Sequence, residues 1–397
     1  MARHTSKSMC SITLVTALVS GACASVGPGK LVSSHTAYND AVQLAVTREV
    51  LANIVRSRYA DPMQFMAVSA INAQFSVSVG ASADVGGIGQ ETAGGTAGSI
   101  GYSDSPTITF VPQSDAAFYK SFYGLFDVSE TVGLGLGYRF ARSDSDWQAL
   151  RLRFSFASIN GASDFVGGRS NAEYEARIDA LVRLFELGAH FRQIPEWDFD
   201  TMVIPRWRVR AEDMVAAFRM GFNFVAEEDG KNVRLARYRL VLSLVLPAPD
   251  DPEATRALEQ VGVTPGRSEY VFRPPLHAGP GEYDPYSIWV TPRSIGDMIN
   301  LATRIVDVPE EHADIVPSLA PLAGERATFG VLRIRSSRDE PPFPYRVRHR
   351  GYWFYVDDAS IDSKIFLEAM VAAYTARVGS VEAGGETPQV VLPVGGG

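Results

Sequence analysis

Five arginines alternate with other residues in one segment near the C-terminus, VLRIRSSRDEPPFPYRVRHRGYWFYV. The period of two along a strand places Arg333 and Arg335 on one face. Across the predicted turn, Arg346, Arg348 and Arg350 likewise share a face. If the two rows coincide, their guanidinium groups could bind an anion, such as a lipid phosphate, an acidic glycan or an acidic partner protein. A solvated outer face is the simpler interpretation, because like charges directly opposite each other repel unless acidic groups lie between them.

Motifs for catalysis, metal binding and nucleotide binding are missing from the sequence. The six histidines stand singly, without an HExxH motif or the Cys/His spacing of a zinc site. There is no GxxxxGK[ST] or GxSxG motif, and GLGLG at residues 133–137 has the wrong spacing for a dinucleotide loop. The carboxylates of Asp357, Asp358 and Asp362 fit the cap of a following helix better than a calcium loop. We therefore predict no catalytic residue, no metal and no cofactor, and a chain that is not an enzyme.

An export signal is predicted at the N-terminus, residues 1–22. Arg3 and Lys7 precede a short apolar run at residues 9–19, and small residues follow it, as in a bacterial signal peptide. The run is too short for a spanning helix, which needs roughly 18–20 apolar residues, and no later segment reaches that length. We therefore expect an exported chain without a transmembrane helix.

Cys23 directly follows this signal and is the predicted lipidation site. The stretch VSGAC resembles the bacterial lipobox, although Ser20 stands where leucine is usual. Cleavage after Ala24 is the alternative, and it would leave a mature chain without cysteine. A single cysteine in an exported protein cannot form an internal disulfide, which favours its use as a lipid anchor. Residues 23–38 would then form the lipidated N-terminus and its tether.

The composition is that of an ordinary globular protein, with 46% hydrophobic and 21% charged residues. The formal net charge is −8. Nucleic-acid binding requires net or clustered positive charge, so we predict that nucleic acid is not a partner.

Alternating and helical patterns predict an α+β fold that is rich in antiparallel sheet. Alternation indicates strands in FSVSVGASADVGG, SPTITFVP, TVGLGLGYRF, LRLRFSFASI, PRWRVR and RYRLVLSLVL. Residues 40–59 have apolar side chains at helical spacing, and this helix should end near Asp61. Three strands run directly into helices, with Ser114 or Asp115 capping one helix and Ser294 another.

Four further segments are predicted after the tether. Residues 39–246 form a larger α+β domain, 247–286 a proline-rich linker or insertion, and 287–378 a smaller α+β domain. The Gly-rich tail, residues 379–397, ends in a short strand, PQVVLPV. Because Pro393 disfavours a central position, this strand should lie at a sheet edge. We expect an edge of its own domain, for example beside the arginine hairpin, and strand addition to another protein is the alternative.

The two ends of the chain contain four stretches that share one resemblance: LANIVRSRYADPMQFMAVSAINAQFSVS, YSDSPTITFVPQSDAAFYKSFYGLF, RHRGYWFYVDDASIDSKIFLEAM and PQVVLPVGG. Together they resemble a group of uncharacterised envelope lipoproteins of proteobacteria. The resemblance implies a lipid-anchored protein of the cell envelope. It implies no activity and no catalytic residue, and it does not include the middle of the chain, roughly residues 140–270.

These observations favour a lipid-anchored protein at the outer membrane that faces the periplasm, with a soluble periplasmic or secreted chain as the alternative. The predicted function is that of a non-catalytic adaptor or scaffold, with the membrane and other envelope proteins as partners. An outer-membrane β-barrel is the alternative, which the alternating strands suit and the interrupting helices do not. A hydrolase acting on envelope polymers is a further alternative, without a motif to support it.

Overall fold

The computed structural model describes residues 36–72, 75–83, 96–104, 107–133, 145–166, 169–275, 283–319, 330, 332–378 and 390–393. The predicted export signal, Cys23 and all but the end of the tether lie outside these residues, as does most of the Gly-rich tail. The predictions for those segments therefore stay predictions.

Helices are interspersed with strands throughout this part of the chain. The helices are α1 (36–58), α2 (Ala116–Phe122), α3 (Val128–Gly133), α4 (Ser145–Ser155), α5 (Ala172–Glu186), α6 (Ala211–Arg219), α7 (Pro252–Val261), α8 (Ile295–Ala302) and α9 (Ile361–Val378). Short 3-10 turns lie at Arg206–Arg208, Thr303–Ile305 and Glu310–Ile315. The helix predicted over residues 40–59 is confirmed as α1, and it ends just before Asp61.

The strands form one large mixed sheet and several small ones. They are β1 (Met66–Asn72), β2 (Phe75–Ala83), β3 (Thr96–Asp104), β4 (Thr107–Pro112), β5 (Phe156–Ile159), β6 (Ala162–Ser163), β7 (Phe165–Val166), β8 (Arg169–Ser170), β9 (His190–Pro205), β10 (Phe222–Ala226), β11 (Asn232–Val245), β12 (Glu269–Arg273), β13 (Ser287–Pro292), β14 (Arg335–Ser337), β15 (Arg346–His349), β16 (Tyr352–Tyr355) and β17 (Val390–Pro393). The seven-stranded sheet has the order β10, β11, β12, β13, β5, β6, and β9 also pairs with β11. Only its β12–β13 pair is parallel. The predicted α+β class is confirmed.

Local capping signals located two helices correctly. The Phe118 N–H donates to the Asp115 carboxylate at 2.7 Å, which starts α2. Ser294 and Asp297 form a reciprocal capping box at the start of α8. Asp362 lies in the first turn of α9, where a negative charge suits the helix dipole.

The proline-rich segment, residues 247–286, contributes α7 and β12 to the fold. Asp251 caps the first turn of α7, and Gly262 ends the helix with a left-handed φ of +92°. Leu258 of α7 and Tyr270 of β12 are fully buried. This segment therefore supplies core residues as well as loops.

Buried apolar side chains form two clusters from different parts of the chain. The first cluster contains side chains of α1, α2, α4, α8, β16 and α9. The second cluster comes from the middle of the chain and contains side chains of α4, β5, α5, β11, α7, β12 and β13. In the second cluster, α5 and α7 pack together on one face of the seven-stranded sheet. The predicted domain boundaries themselves stay a prediction.

Helix α4 lies between the two clusters and contributes to both. Leu150 and Phe154 belong to the first cluster, whereas Leu152, on the opposite side of the helix, belongs to the second. A helix that is buried on two opposite sides has a sequence that can mimic the alternation of a strand. The strand predicted from LRLRFSFASI is therefore wrong over residues 150–155, and only Phe156–Ile159 forms a strand, β5.

Three other strand predictions need correction or completion. PRWRVR forms a 3-10 turn and leads into α6, and its alternation has no buried face because Trp207 and the arginines beside it are exposed. TVGLGLGYRF begins inside α3, and residues 134–144 lie outside the described part. The C-terminal strand, β17, pairs with β4 at the edge of a three-stranded sheet. Its edge position is confirmed, whereas a place beside the arginine hairpin is wrong.

Glu49 of α1 is a partly buried carboxyl that couples stability to pH. The Met66 N–H and the Tyr374 hydroxyl donate to it at 3.0 Å and 3.2 Å. Burial raises the pKa of Glu49 from 4.5 to about 7, against the smaller effects of these hydrogen bonds and of Arg56. The folded protein therefore holds this proton more tightly than the unfolded chain. The resulting stability is fully present below pH 4.5 and is lost as the pH rises through about 7.

Replacement of Glu49 by glutamine should remove this pH dependence. The amide retains hydrogen-bonding groups for both partners and has no proton to lose, so the variant should be more stable than the parent by up to about 3 kcal/mol at alkaline pH. Urea unfolding of both proteins from acidic to mildly alkaline pH measures the difference. Parallel stability profiles would show that the folded protein does not perturb this carboxyl.

Candidate functional site

The predicted arginine face lies on a small sheet with the strand order β14, β16, β15. Because β16 lies between the two arginine strands, the two rows are not neighbours. Arg335 and Arg346 both lie opposite Tyr355, and Arg348 lies opposite Trp353. These three arginines therefore share one face of the sheet with two aromatic side chains.

Acidic side chains lie close to four of the five predicted arginines. The pairs are Arg333 with Asp307 at 4.0 Å, Arg335 with Asp357 at 3.6 Å, Arg346 with Glu340 at 2.7 Å, and Arg350 with Asp61 at 2.7 Å. Arg348 is exposed and forms no salt bridge within the described residues. The acidic groups reduce the repulsion between like charges on this face. Anion binding by the face stays a prediction, and Arg348 is the guanidinium best placed for it.

A group of ionisable side chains surrounds the Arg350–Asp61 pair. Asp61 Oδ2 lies 3.0 Å from His349 Nε2, and the Tyr59 hydroxyl lies 2.6 Å from His312 Nδ1. A histidine oriented by a carboxylate can serve as a general base that activates a nucleophile. Across the ranges that the structure describes, however, neither imidazole is hydrogen-bonded to a serine, threonine or cysteine side chain.

The electrostatics of this group suit a structural role. Burial lowers the pKa of His349, although Asp61 opposes the effect. Burial also raises the pKa of Tyr59 to about 12, so its hydroxyl stays protonated at neutral pH. Tyr59 and Asp61 directly follow α1, whereas His349 ends β15, so these contacts attach α1 to the arginine sheet. We assign no chemistry to this group.

Strands β9 and β11 form a long antiparallel ribbon, and the outer part of β11 also pairs with β10. At the inner end of the ribbon, Leu242 and Leu244 are buried in the second cluster. Because side chains two residues apart share a face, Leu240 and Tyr238 continue the same face outward. There they are 48% and 53% exposed. The face covered by α5 and α7 thus continues beyond these helices, with its apolar side chains in contact with solvent.

The facing residues of β9 complete this surface. Trp197 lies opposite Tyr238, and Phe199 lies opposite Ala236. Trp197 and Phe199 are 43% and 45% exposed. The rings of Trp197 and Tyr238 meet edge to face, with their centroids 5.4 Å apart. We call the surface formed by Trp197, Phe199, Tyr238 and Leu240 the ribbon face.

The opposite face of the ribbon is charged and internally neutralised. Arg237 lies opposite Asp198, and Arg239 lies opposite Glu196. Their salt bridges measure 3.8 Å and 3.4 Å, and Arg273 of β12 approaches Glu196 to 2.6 Å. Hydrogen bonding from Arg273 holds the pKa of Glu196 below its ordinary value, so this carboxylate is ionised at neutral pH. These cross-strand pairs stabilise the pairing of β9 with β11.

Neither comparison with known proteins nor a search for membrane-spanning helices and metal sites assigns a function to the described residues. No protein-family model, curated protein or solved structure matches this chain. In the described ranges, none of the helices has the length and apolar character needed to cross a membrane. The same ranges contain no group of three or more His, Cys, Asp or Glu side chains placed to hold a metal ion. Function must therefore be inferred from the geometry of the described surfaces.

Proposed function

We propose that the chain is a lipid-anchored adaptor of the cell envelope that docks another envelope protein on the ribbon face. Acyl chains on Cys23 would hold it at the outer membrane, facing the periplasm. The adaptor is non-catalytic and uses no cofactor. The exposed apolar ribbon face is the observation that supports this function.

The ribbon face has the composition and rigidity of a docking surface. Contiguous exposed apolar surface is uncommon on monomeric proteins and often marks an interaction site. Trp197 and Tyr238 are of residue types that supply much of the binding energy at interfaces. The strand ladder and the ion pairs on the opposite face hold these side chains in place before binding. This preorganisation reduces the entropy lost on association.

The free edge of β9 is less suited to a partner than the ribbon face. Among the described strands, β9 pairs with β11 alone, so its other edge is open. Pro195 lacks a backbone N–H, and the register of β9 is irregular between Phe199 and Val203. Both features oppose the addition of another strand. We therefore place the partner on the face.

Matched variants of the two faces test this function by co-purification. Trp197→Thr/Tyr238→Thr replaces one cross-strand pair on the ribbon face, and Asp198→Thr/Arg237→Thr replaces the next pair, on the charged face. Threonine retains strand propensity, so both variants should fold and melt close to the parent. Proteins that co-purify from cross-linked, detergent-solubilised envelopes should fall by about tenfold or more for the first variant and be retained by the second.

Retention of the same partners by both variants would contradict docking on the ribbon face. Loss of the partners from both would contradict it as well, because the effect would not depend on the face. A Cys23→Ser chain in the same preparation separates anchoring from docking, since it should leave the membrane fraction and keep an intact ribbon face.

A further inference from the structure

The outer end of the ribbon carries a second set of exposed apolar side chains, which we call the arm tip. It comprises the 3-10 turn at Arg206–Arg208, helix α6 and the turn that leads into β10. Trp207, Phe218 and Met220 are 80%, 74% and 69% exposed. The turn at Trp207 lies beside the start of β11, six residues or about 20 Å from Tyr238. Helix α6 leads back along the ribbon, because Phe222, just after the turn that follows it, pairs with Arg237. A substitution at Trp207 therefore alters the arm tip without changing the ribbon face.

Helix α6 turns its apolar stripe towards solvent. Ala211, Met214, Val215 and Phe218 have the spacing of one helical face. Met214 and Val215 are each 53% exposed, and only Ala217 of this helix is buried. In a globular protein such a stripe normally packs on the core, which supplies most of the stability of a short helix. The outward orientation indicates that an apolar environment outside the chain takes the place of a core.

The arm tip carries side chains of both charges, and two arginines flank Trp207. Glu227 pairs with Arg234 and Glu212 with Arg210. Asp213 and Asp229 accept hydrogen bonds from backbone N–H groups and keep their negative charge. Arg206, Trp207 and Lys231 line one depression. The Arg208 guanidinium lies over the Trp207 ring, 5.1 Å from its centroid. Within the described residues, Arg206 and Arg208 form no salt bridge, so both are available to an external anion.

We propose that the arm tip inserts into the headgroup region of a bilayer that contains anionic phospholipids. Trp207, Phe218 and Met220 would enter the boundary with the acyl chains, where aromatic residues are enriched. Arg206 and Arg208 flank Trp207 in the sequence and would bind the phosphates above it. This is a second membrane contact, and it depends neither on the lipid anchor nor on docking at the ribbon face.

Two features favour a bilayer over a protein as the occupant. The arm tip consists of a turn and a helix of nine residues. Their exposed side chains come from two separate short elements, whereas those of the ribbon face come from one rigid pair of strands. Arg206 and Arg208 also lie beside Trp207, as cations lie beside aromatic residues in interfacial segments that bind anionic membranes. Insertion of a few bulky side chains into lipid needs no shape complementarity, so a small tip suffices.

Vesicle binding tests the proposal on the full mature chain carrying Cys23→Ser, which removes any contribution from acyl chains. The anionic vesicles contain phosphatidylethanolamine with a minor fraction of phosphatidylglycerol, and the neutral vesicles contain phosphatidylcholine. The chain should co-sediment with the anionic vesicles. Trp207→Ser/Phe218→Ser should bind them at least about tenfold more weakly, because two exposed apolar side chains no longer enter the lipid. Arg206→Gln/Arg208→Gln should lose about tenfold on anionic vesicles and nothing on neutral ones.

The matched control is Ile361→Ser. Ile361 on α9 is also strongly exposed, at 63%, and does not belong to the arm tip. This variant should bind vesicles like the parent, and equal melting temperatures will show that all variants are folded. Equal vesicle binding by the parent and Trp207→Ser/Phe218→Ser would overturn the proposal. The proposal would also be overturned if the parent chain did not bind vesicles but self-associated through Trp207 in analytical ultracentrifugation. A second copy of the chain would then be the partner of the arm tip.

Discussion

Replacement of Glu175 by alanine should lower the free energy of unfolding by about 3–5 kcal/mol. Glu175 of α5 forms a salt bridge with Arg153 of α4, and the two side chains are only 9% and 5% exposed. Burial raises the pKa of Glu175, although the Arg153 guanidinium opposes the effect. Alanine would leave that guanidinium buried without its counter-ion, which is more destabilising than replacing the whole pair. Urea unfolding near neutral pH measures the loss.

A double variant separates the effect of the unpaired buried guanidinium from the effect of the lost packing contacts. In Arg153→Met/Glu175→Leu, apolar side chains replace both charges, and the stability should return to within about 1 kcal/mol of the parent. The backbone carbonyl of Arg153 still accepts the hydrogen bond from Arg293 Nε in this variant. If Glu175→Ala alone changed the stability by less than about 1 kcal/mol, the pair would be accessible to water, and the buried position of α4 would be wrong.

Truncation of a leucine on either side of α4 should have the next largest effect. Leu150 is fully buried in the first cluster, and Leu152 is 1% exposed in the second. Each leucine-to-alanine change should destabilise the protein by about 2–5 kcal/mol, since each leaves a cavity in a packed core. Because α4 belongs to both clusters, we expect one calorimetric transition, which moves to lower temperature in both variants. Ile361→Ala, at a position 63% exposed, should leave it nearly unchanged.

Two separate calorimetric transitions would contradict this coupling if each leucine substitution lowered the melting temperature of only one of them. That result would instead support the independent domains predicted on either side of residues 247–286. The calorimetric experiment therefore also tests the predicted domain boundaries, which the arrangement of the two clusters alone does not decide.

Elements with strong local signals were predictable from the sequence. The Asp115 and Ser294 caps depend on a few neighbouring residues, and the apolar stripe of α1 faces a single core. Helix α4 was not predictable in this way, because its two buried sides belong to different clusters and its pattern resembles a strand. Periodicity indicates which residues are buried, but it does not show on how many sides of an element the burial occurs.

The ribbon face has a sequence signal that a comparison of two segments reveals. In PEWDFD, acidic residues alternate with aromatic ones, and in RYRL, basic residues alternate with Tyr238 and Leu240. Opposite charges at matching positions indicate paired strands with one charged face, which leaves an apolar face on the other side. The exposure of that face depends on where α5 and α7 end relative to the sheet, and this is set by tertiary packing.

The other candidate sites depend on contacts between residues that are far apart in the sequence, and these contacts could not be predicted. Alternation placed Arg335, Arg346 and Arg348 correctly in strands, whereas Arg333 and Arg350 lie just outside β14 and β15. It also did not reveal that β16 pairs between the two rows. Tyr59 and His312 are separated by 253 residues and meet only in the folded chain. Single-residue patterns contain no information about such contacts, so the group around Asp61 had no signal in the sequence.

Docking on the ribbon face is tested most directly by photo-cross-linking in growing cells, with a benzophenone amino acid in place of Tyr238 or of Arg237. The two positions are adjacent in β11 and point to opposite faces, so the chain, its location and the strand are matched. We expect cross-linked products of one discrete mass from position 238 and none from position 237. Equal products from both positions, or none from either, would contradict docking on the ribbon face.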